Sequence, residues 1–157
     1  MNIAGKLANR LLMKAVIQRV KKGQVSIDNK VVGRIGRGFL VFLGITEGDT
    51  EKKANWLAKK VANLRIMADE EGKMNLSLKE AGGQLLVVSQ FTLYADCRKG
   101  NRPSFIKAAE PEKAEELYNL FIKKIKSLSL EVKTGVFGAM MAVELVNDGP
   151  VTLVIEK

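Results

Sequence analysis

Only two stretches of this 157-residue chain carry helical periodicity, while most of its remaining apolar residues fall in short strand-like runs. That imbalance limits the fold more than any other feature. The first helical stretch spans about 50–64, with Ala54, Leu57, Ala58, Val61 and Leu64 on one face and Lys52, Lys53, Lys59 and Lys60 left to solvent. Asp49 is the expected N-cap. The second opens at Pro111, a residue suited to a first helical position, and runs to about Leu128. Its buried stripe is Ala114, Leu117, Phe121, Ile125 and Leu128; glutamates lie early and lysines late, as the helix dipole favours.

The rest reads as strands. Residues 13–20 alternate, and two runs around Asp28-Asn29-Lys30 predict a hairpin. Residues 38–45 form a solid apolar run, which predicts a strand buried on both faces. Residues 65–68 form a short strand before a turn at 69–73. Residues 85–95 read as another buried strand, following Gly82-Gly83. Three strands close the chain, at about 130–134, 139–146 and 151–155. Two helices among this many strands are too few for repeated βαβ units. The expectation is one α+β domain over 13–157, with a largely antiparallel sheet rolled toward a barrel.

Residue types narrow the chemistry. The chain has no histidine and one cysteine, Cys97. Ser-His-Asp and Cys-His machinery are therefore excluded, and the commonest zinc ligands are missing. Neither a metal nor an organic cofactor is expected. A lone cysteine forms no internal disulfide and suits a reducing compartment, so the expected location is the cytoplasm. No apolar run reaches the roughly 20 residues of a membrane span. Twenty-six basic against 17 acidic residues give a net charge of +9, which points to a polyanionic partner, nucleic acid first. Aromatic residues make up only 6%, which argues against base stacking as a main recognition mode. Residues 1–12 hold two cations and no acid, lack a continuous apolar core, and read as a poorly ordered extension.

Two short segments are candidates for a site. Ser89, Gln90, Phe91 and Thr92 lie within the apolar run 85–95. Asn147, Asp148, Gly149 and Pro150 come immediately before the last strand-like run. The bland reading of the second is a turn between strands, since Gly and Pro are the commonest turn residues. The first allows three readings: a plain buried strand, Thr92 as a hydroxyl nucleophile, or the N–H groups near Phe91 and Thr92 as an oxyanion hole. A hydroxyl needs a base, and none is near in sequence. Backbone donors need no activation and contribute roughly 2.7–4 kcal/mol each when aimed at a developing oxyanion.

With residues 13–20 (MKAVIQRV), 73–76 (KMNL), 89–93 (SQFTL), 100–105 (GNRPSF), 135–141 (GVFGAMM) and 147–152 (NDGPVT), the chain resembles the D-aminoacyl-tRNA deacylase family, also called D-tyrosyl-tRNA deacylase. The resemblance covers Met13 to the C-terminus. It implies a barrel-like sheet with outer helices, assembled as a homodimer, that hydrolyses the ester of D-aminoacyl-tRNA. It implies a cis peptide at Gly149-Pro150 that enters the active site of the other subunit, its carbonyls facing the α-carbon of the bound amino acid. Phe137 and Met141 look like pocket wall, and Lys99 and Arg102 like contacts to tRNA phosphate. Two rivals remain at this point: an RNA-binding module without catalysis, and a dimer whose Gly-Pro turn is only structural.

Overall fold

A computed structural model describes residues 11–157. The expectation of a loosely held extension therefore falls, for residues 1–10, outside the described residues. Elements follow in the order β1 (Lys14–Ile27), β2 (Lys30–Ile35), β3 (Gly38–Gly44), α1 (Glu51–Asn63), β4 (Met67–Ala68), β5 (Met74–Leu76), α2 (Leu78–Ala81), β6 (Gln84–Ser89), a 3-10 turn (Phe91–Tyr94), α3 (Pro111–Ser127), β7 (Val132–Thr134) and β8 (Ala142–Glu156).

β1 organises the sheet. Its N-terminal half pairs with β3, its C-terminal half with β2, and β8 pairs along both halves, all antiparallel. β3, β6 and β7 continue the sheet in parallel. The hairpin between β1 and β2 turns on Asp28 and Asn29, both at positive φ, where short polar side chains are best tolerated. The sheet curls until β2 meets β7 and nearly closes the barrel. At Gly33 an added Cβ would lie 2.7 Å from the Thr134 carbonyl oxygen, so only glycine allows that approach.

Alternation along β3 and β6 divides the core in two. Phe39, Val41, Leu43, Leu85 and Val87 face outward, packed under Leu57, Val61, Phe121 and Ile125 of α1 and α3. Leu40, Leu86 and Val88 face inward, with Val20, Val25 and Ile35. Side chains on successive strand residues point to opposite faces, so a strand covered on both sides must be apolar throughout. Each such side chain contributes about 1.5–3 kcal/mol by leaving water.

Three local expectations are corrected. Thr50, not Asp49, caps α1, accepting from the Lys53 N–H at 3.3 Å. Asp49 turns inward instead and accepts from the Thr46 N–H at 2.8 Å. The run 85–95 is not one strand. Pairing with β3 ends at Ser89, and the chain then winds into the 3-10 turn. Residues 147–150 are not a turn between two strands, because β8 runs straight through them against β1. Gln18 pairs with Thr152 and Val20 with Asn147, which leaves residues 148–151 bulged opposite the single residue Arg19. The short helix α2, missed by periodicity because it makes one turn, carries a capping box between Ser77 and Glu80.

Candidate active site

The end of β6 and the 3-10 turn form one wall of a cleft of about 740 Å³. Ser89, Gln90, Phe91 and Thr92 line it, and so do Phe137 and Met141. The volume suits a small ligand, within the usual 300–1,000 Å³ of such sites. The Gln90 N–H is committed to the Leu43 carbonyl at 2.8 Å, which pins the turn to β3. Among the described residues, the N–H groups of Phe91 and Thr92 have no hydrogen-bond partner. Both belong to the first turn of the 3-10 segment, where intrahelical acceptors are absent. The Gln90 side chain donates to the Thr92 hydroxyl.

The outer rim of the cleft comes from the loop before α3. Phe105 meets Phe91 edge to face, with ring centroids 5.3 Å apart. Ile106 and Met140 also line the cleft and are 89% and 91% exposed. Sequence reading held Phe105 and Met140 only as members of the segments 100–105 and 135–141, and it missed Ile106, because no periodic pattern marks a loop that folds back over a strand end. Phe137 packs beside Tyr118, whose hydroxyl donates to the Val87 carbonyl at 3.0 Å; burial pushes that phenol up to about 12.

Lys99 and Arg102 do not enter the cleft. They sit on the exposed loop that leads to its rim. In the same loop Asp96 accepts two bonds from the Arg98 guanidinium, at 2.8 and 2.6 Å, and pairs with Lys107 at 3.4 Å. Hydrogen bonding from Arg98 holds the Asp96 carboxyl well below the usual carboxylate range. Asp96 thus engages Arg98 and Lys107, whereas Lys99 and Arg102 lie within ion-pair distance of no carboxylate among the described residues.

The Gly149–Pro150 peptide is cis, and both residues are exposed. They are not among the residues that line the cleft of their own chain. The bulge carrying them is held from below. Asn147 donates to the Arg19 carbonyl at 2.9 Å and to the Val151 carbonyl at 3.0 Å, tying the bulge's two ends. Arg19, which sequence reading overlooked, pairs with Asp148 at 3.3 Å and donates to the Ile66 carbonyl at 2.7 Å. Gly149 has φ +124°, and an added Cβ would lie 2.8 Å from Val151 Cγ2 and 3.0 Å from Arg19 Nη2. A side chain has no room there.

Comparison with known proteins identifies the family. The profile of the family described as D-Tyr-tRNA(Tyr) deacylase matches residues 16–156. A D-aminoacyl-tRNA deacylase of Desulfatibacillum aliphaticivorans is 58% identical over 145 residues, covering 92% of this chain and 99% of its own. One from Brevibacillus brevis is 56% identical, covering 92% and 100%. Among solved structures, the c-Myc DNA Unwinding Element Binding Protein superposes with a TM-score of 0.86 at 41% identity, over 92% of this chain and 98% of that one. A protein described as a "probable eukaryotic D-amino acid tRNA deacylase" shares the fold, with a TM-score of 0.80 at 18% identity over 94% and 100%. With that profile spanning most of its length and relatives more than half identical along it, the chain belongs to the D-Tyr-tRNA(Tyr) deacylase family.

Proposed function

We propose that the cleft hydrolyses the ester of D-aminoacyl-tRNA, and that two copies of the chain complete it. Membership of the deacylase family sets the reaction: ester hydrolysis on an aminoacyl-tRNA. One observation carries the mechanism: the unpartnered N–H groups of Phe91 and Thr92, on a turn anchored to the sheet at the cleft wall. Water adds to the ester carbonyl, and the oxyanion is received by these two donors. The bond to the ribose oxygen then breaks, releasing a free amino acid and tRNA. The donors are fixed before reaction, which is where such stabilisation gains its strength. The ribose 2′-OH beside the ester is the nearest group of the substrate able to relay a proton. The site of action is the cytoplasm, where charged tRNA meets the ribosome.

Chiral selection falls to the bulge. Gly149 and Pro150 are exposed in a single chain and lie outside its own cleft, which suits insertion into the cleft of a second copy. Their carbonyls then face the α-carbon of the bound amino acid. Held by Asn147 and Arg19, the bulge cannot yield to an L side chain directed into it. A D side chain points outward, and glycine offers nothing to exclude.

Single-turnover hydrolysis of D-tyrosyl-, L-tyrosyl- and glycyl-tRNA tests this. The D form is cleaved fast, the glycyl form to a measurable degree, and the L form stays at its buffer lifetime. Glycyl-tRNA as durable as the L form would show that the D side chain is held positively, and exclusion would be wrong. A D form as durable as in buffer would leave only tRNA binding.

A further inference from the structure

The cleft has room for an aminoacyl group and its nucleotide but not for the rest of a tRNA, so the adjoining RNA must lie on the surface. One segment leads from the cleft wall to a basic surface. Ile45 and Ala109 line the cleft and are joined by a backbone hydrogen bond of 2.9 Å. From Ile45 the chain passes the buried Thr46 and Asp49 and the exposed Glu47 and Glu51 into α1. Asp49 there accepts from the Thr46 N–H and pairs with Lys53 at 3.6 Å. The exposed positions Lys52, Trp56, Lys59, Lys60 and Asn63 then follow one another along a single face of α1. A spacing of four, three, one and three residues keeps them in one stripe. At 1.5 Å of rise per residue the stripe is about 16 Å long.

Two features distinguish this face from an ordinary solvated helix. Trp56, the only tryptophan, is 37% exposed, with the ammonium groups of Lys60 and Lys157 at 5.3 and 4.6 Å from its ring centroid. Among the described residues, no carboxylate lies within ion-pair distance of Lys52, Lys59, Lys60 or Lys157, although other lysines of the chain do pair with acids. Both ammonium groups stand over the ring in the free protein; when they swing out to phosphates they uncover an indole face on which a base stacks, the combination that single-stranded nucleic acid selects. The low aromatic content argues against stacking as a main recognition mode, and here stacking falls to this one ring alone.

We infer that the α1 face of Lys52, Trp56, Lys59 and Lys60, with Lys157, binds the RNA strand adjoining the ester-bearing nucleotide. The inference rests on the tRNA substrate proposed above. The RNA leaves the cleft beside Ile45 and runs along α1. Trp56 supplies the stacking surface and the lysines the phosphate contacts.

The single tryptophan makes the test direct. Uncharged tRNA is titrated into the protein while Trp56 fluorescence is followed, at several salt concentrations. Quenching that saturates with tRNA is expected. The triple variant Lys52→Ala, Lys59→Ala, Lys60→Ala should flatten the slope of log affinity against log salt by about 2, at about 0.7–0.9 per phosphate contact. Trp56→Ala, followed by filter binding, should weaken tRNA about five-fold or more. Both variants should hydrolyse the minimal ester D-tyrosyl-adenosine at the wild-type rate, because it lacks the RNA that this face holds. Failure of the reaction and failure of this surface are thereby read separately: wild type inert on both esters removes the proposed function, whereas the binding readouts judge the α1 face. Unchanged fluorescence on saturation with tRNA, or an unchanged slope in the triple variant, would overturn the assignment. So would duplex DNA that quenches Trp56 as strongly as tRNA at equal phosphate concentration, since the face would then be a general polyanion surface.

Discussion

Thr92 is the one side chain at the cleft wall that invites a nucleophilic role, and its surroundings argue against it. Its hydroxyl receives a hydrogen bond from Gln90, an amide that cannot act as a base, and the chain has no histidine to take the proton. Thr92→Ala should therefore fold normally and keep kcat within about one order of magnitude under single-turnover conditions, whereas losing a true nucleophile costs several orders. Asp49 poses a different question. Its buried carboxylate is raised above 3.8 by desolvation, which outweighs the Thr46 and Lys53 contacts that lower it. The unfolded chain then releases this proton at lower pH than the folded chain does. Across that window the folded state binds more protons, so this group's contribution to stability falls as pH rises above 3.8 and recovers on acidification. Asp49→Asn should remove that component. Urea unfolding of both proteins between pH 4 and 7 should give stabilities that diverge as pH falls, with the wild type gaining relative to the variant.

At the scale of elements, β8 shows how a protrusion is built from an interrupted strand pairing. Pairing with β1 on both sides of the bulge forces four residues to stand out opposite Arg19. Asn147 spans the base of that protrusion with two hydrogen bonds to carbonyl oxygens. Asn147→Ala should destabilise the fold by about 1–3 kcal/mol, the range for leaving buried polar groups unpaired. It should also impair hydrolysis of D-tyrosyl-tRNA more than that loss of stability explains at temperatures where the protein stays folded. Urea titration and single-turnover rates on one preparation separate the two effects. Unchanged rates would mean that the bulge holds its shape without Asn147. The same element shows where sequence reading stops. The apolar runs on either side of Asn147-Asp148-Gly149-Pro150 were legible, but their joint pairing with one partner strand was not. A Gly-Pro pair between two strand-like runs fits a hairpin and a bulge equally well, and only the partner decides.

For the whole molecule, Gly149 and Pro150 lie outside the cleft of their own chain, and under the function proposed above assembly becomes part of the chemistry. A variant disabled at Gly149 and one disabled at Phe91, each inactive alone, should regain activity when mixed under conditions of subunit exchange. If each cleft takes its bulge from the other copy, a heterodimer retains one intact cleft out of two. Mixing that restores nothing, with exchange confirmed by mass, would place both elements in one subunit.

The sequence by itself determined the longest local elements and one limit on the chemistry: α1 and α3, the β1–β2 hairpin, the doubly buried β3, and a chemistry without histidine. These follow from local periodicity, turn residues and composition, none of which needs a partner in space. Tertiary structure decided what depends on distant contacts. It ended β6 at Ser89 and turned Phe91 and Thr92 into a 3-10 segment, because β3 offers no further pairing there. It folded Phe105 and Ile106 over the cleft, set Arg19 beneath Gly149, and curled the sheet until Gly33 met Thr134. It also set two lysine ammonium groups over the partly exposed Trp56 ring, one from a residue 101 positions away in the chain. Each is a contact between residues far apart in sequence, and no local pattern specifies which surfaces meet when the sheet closes.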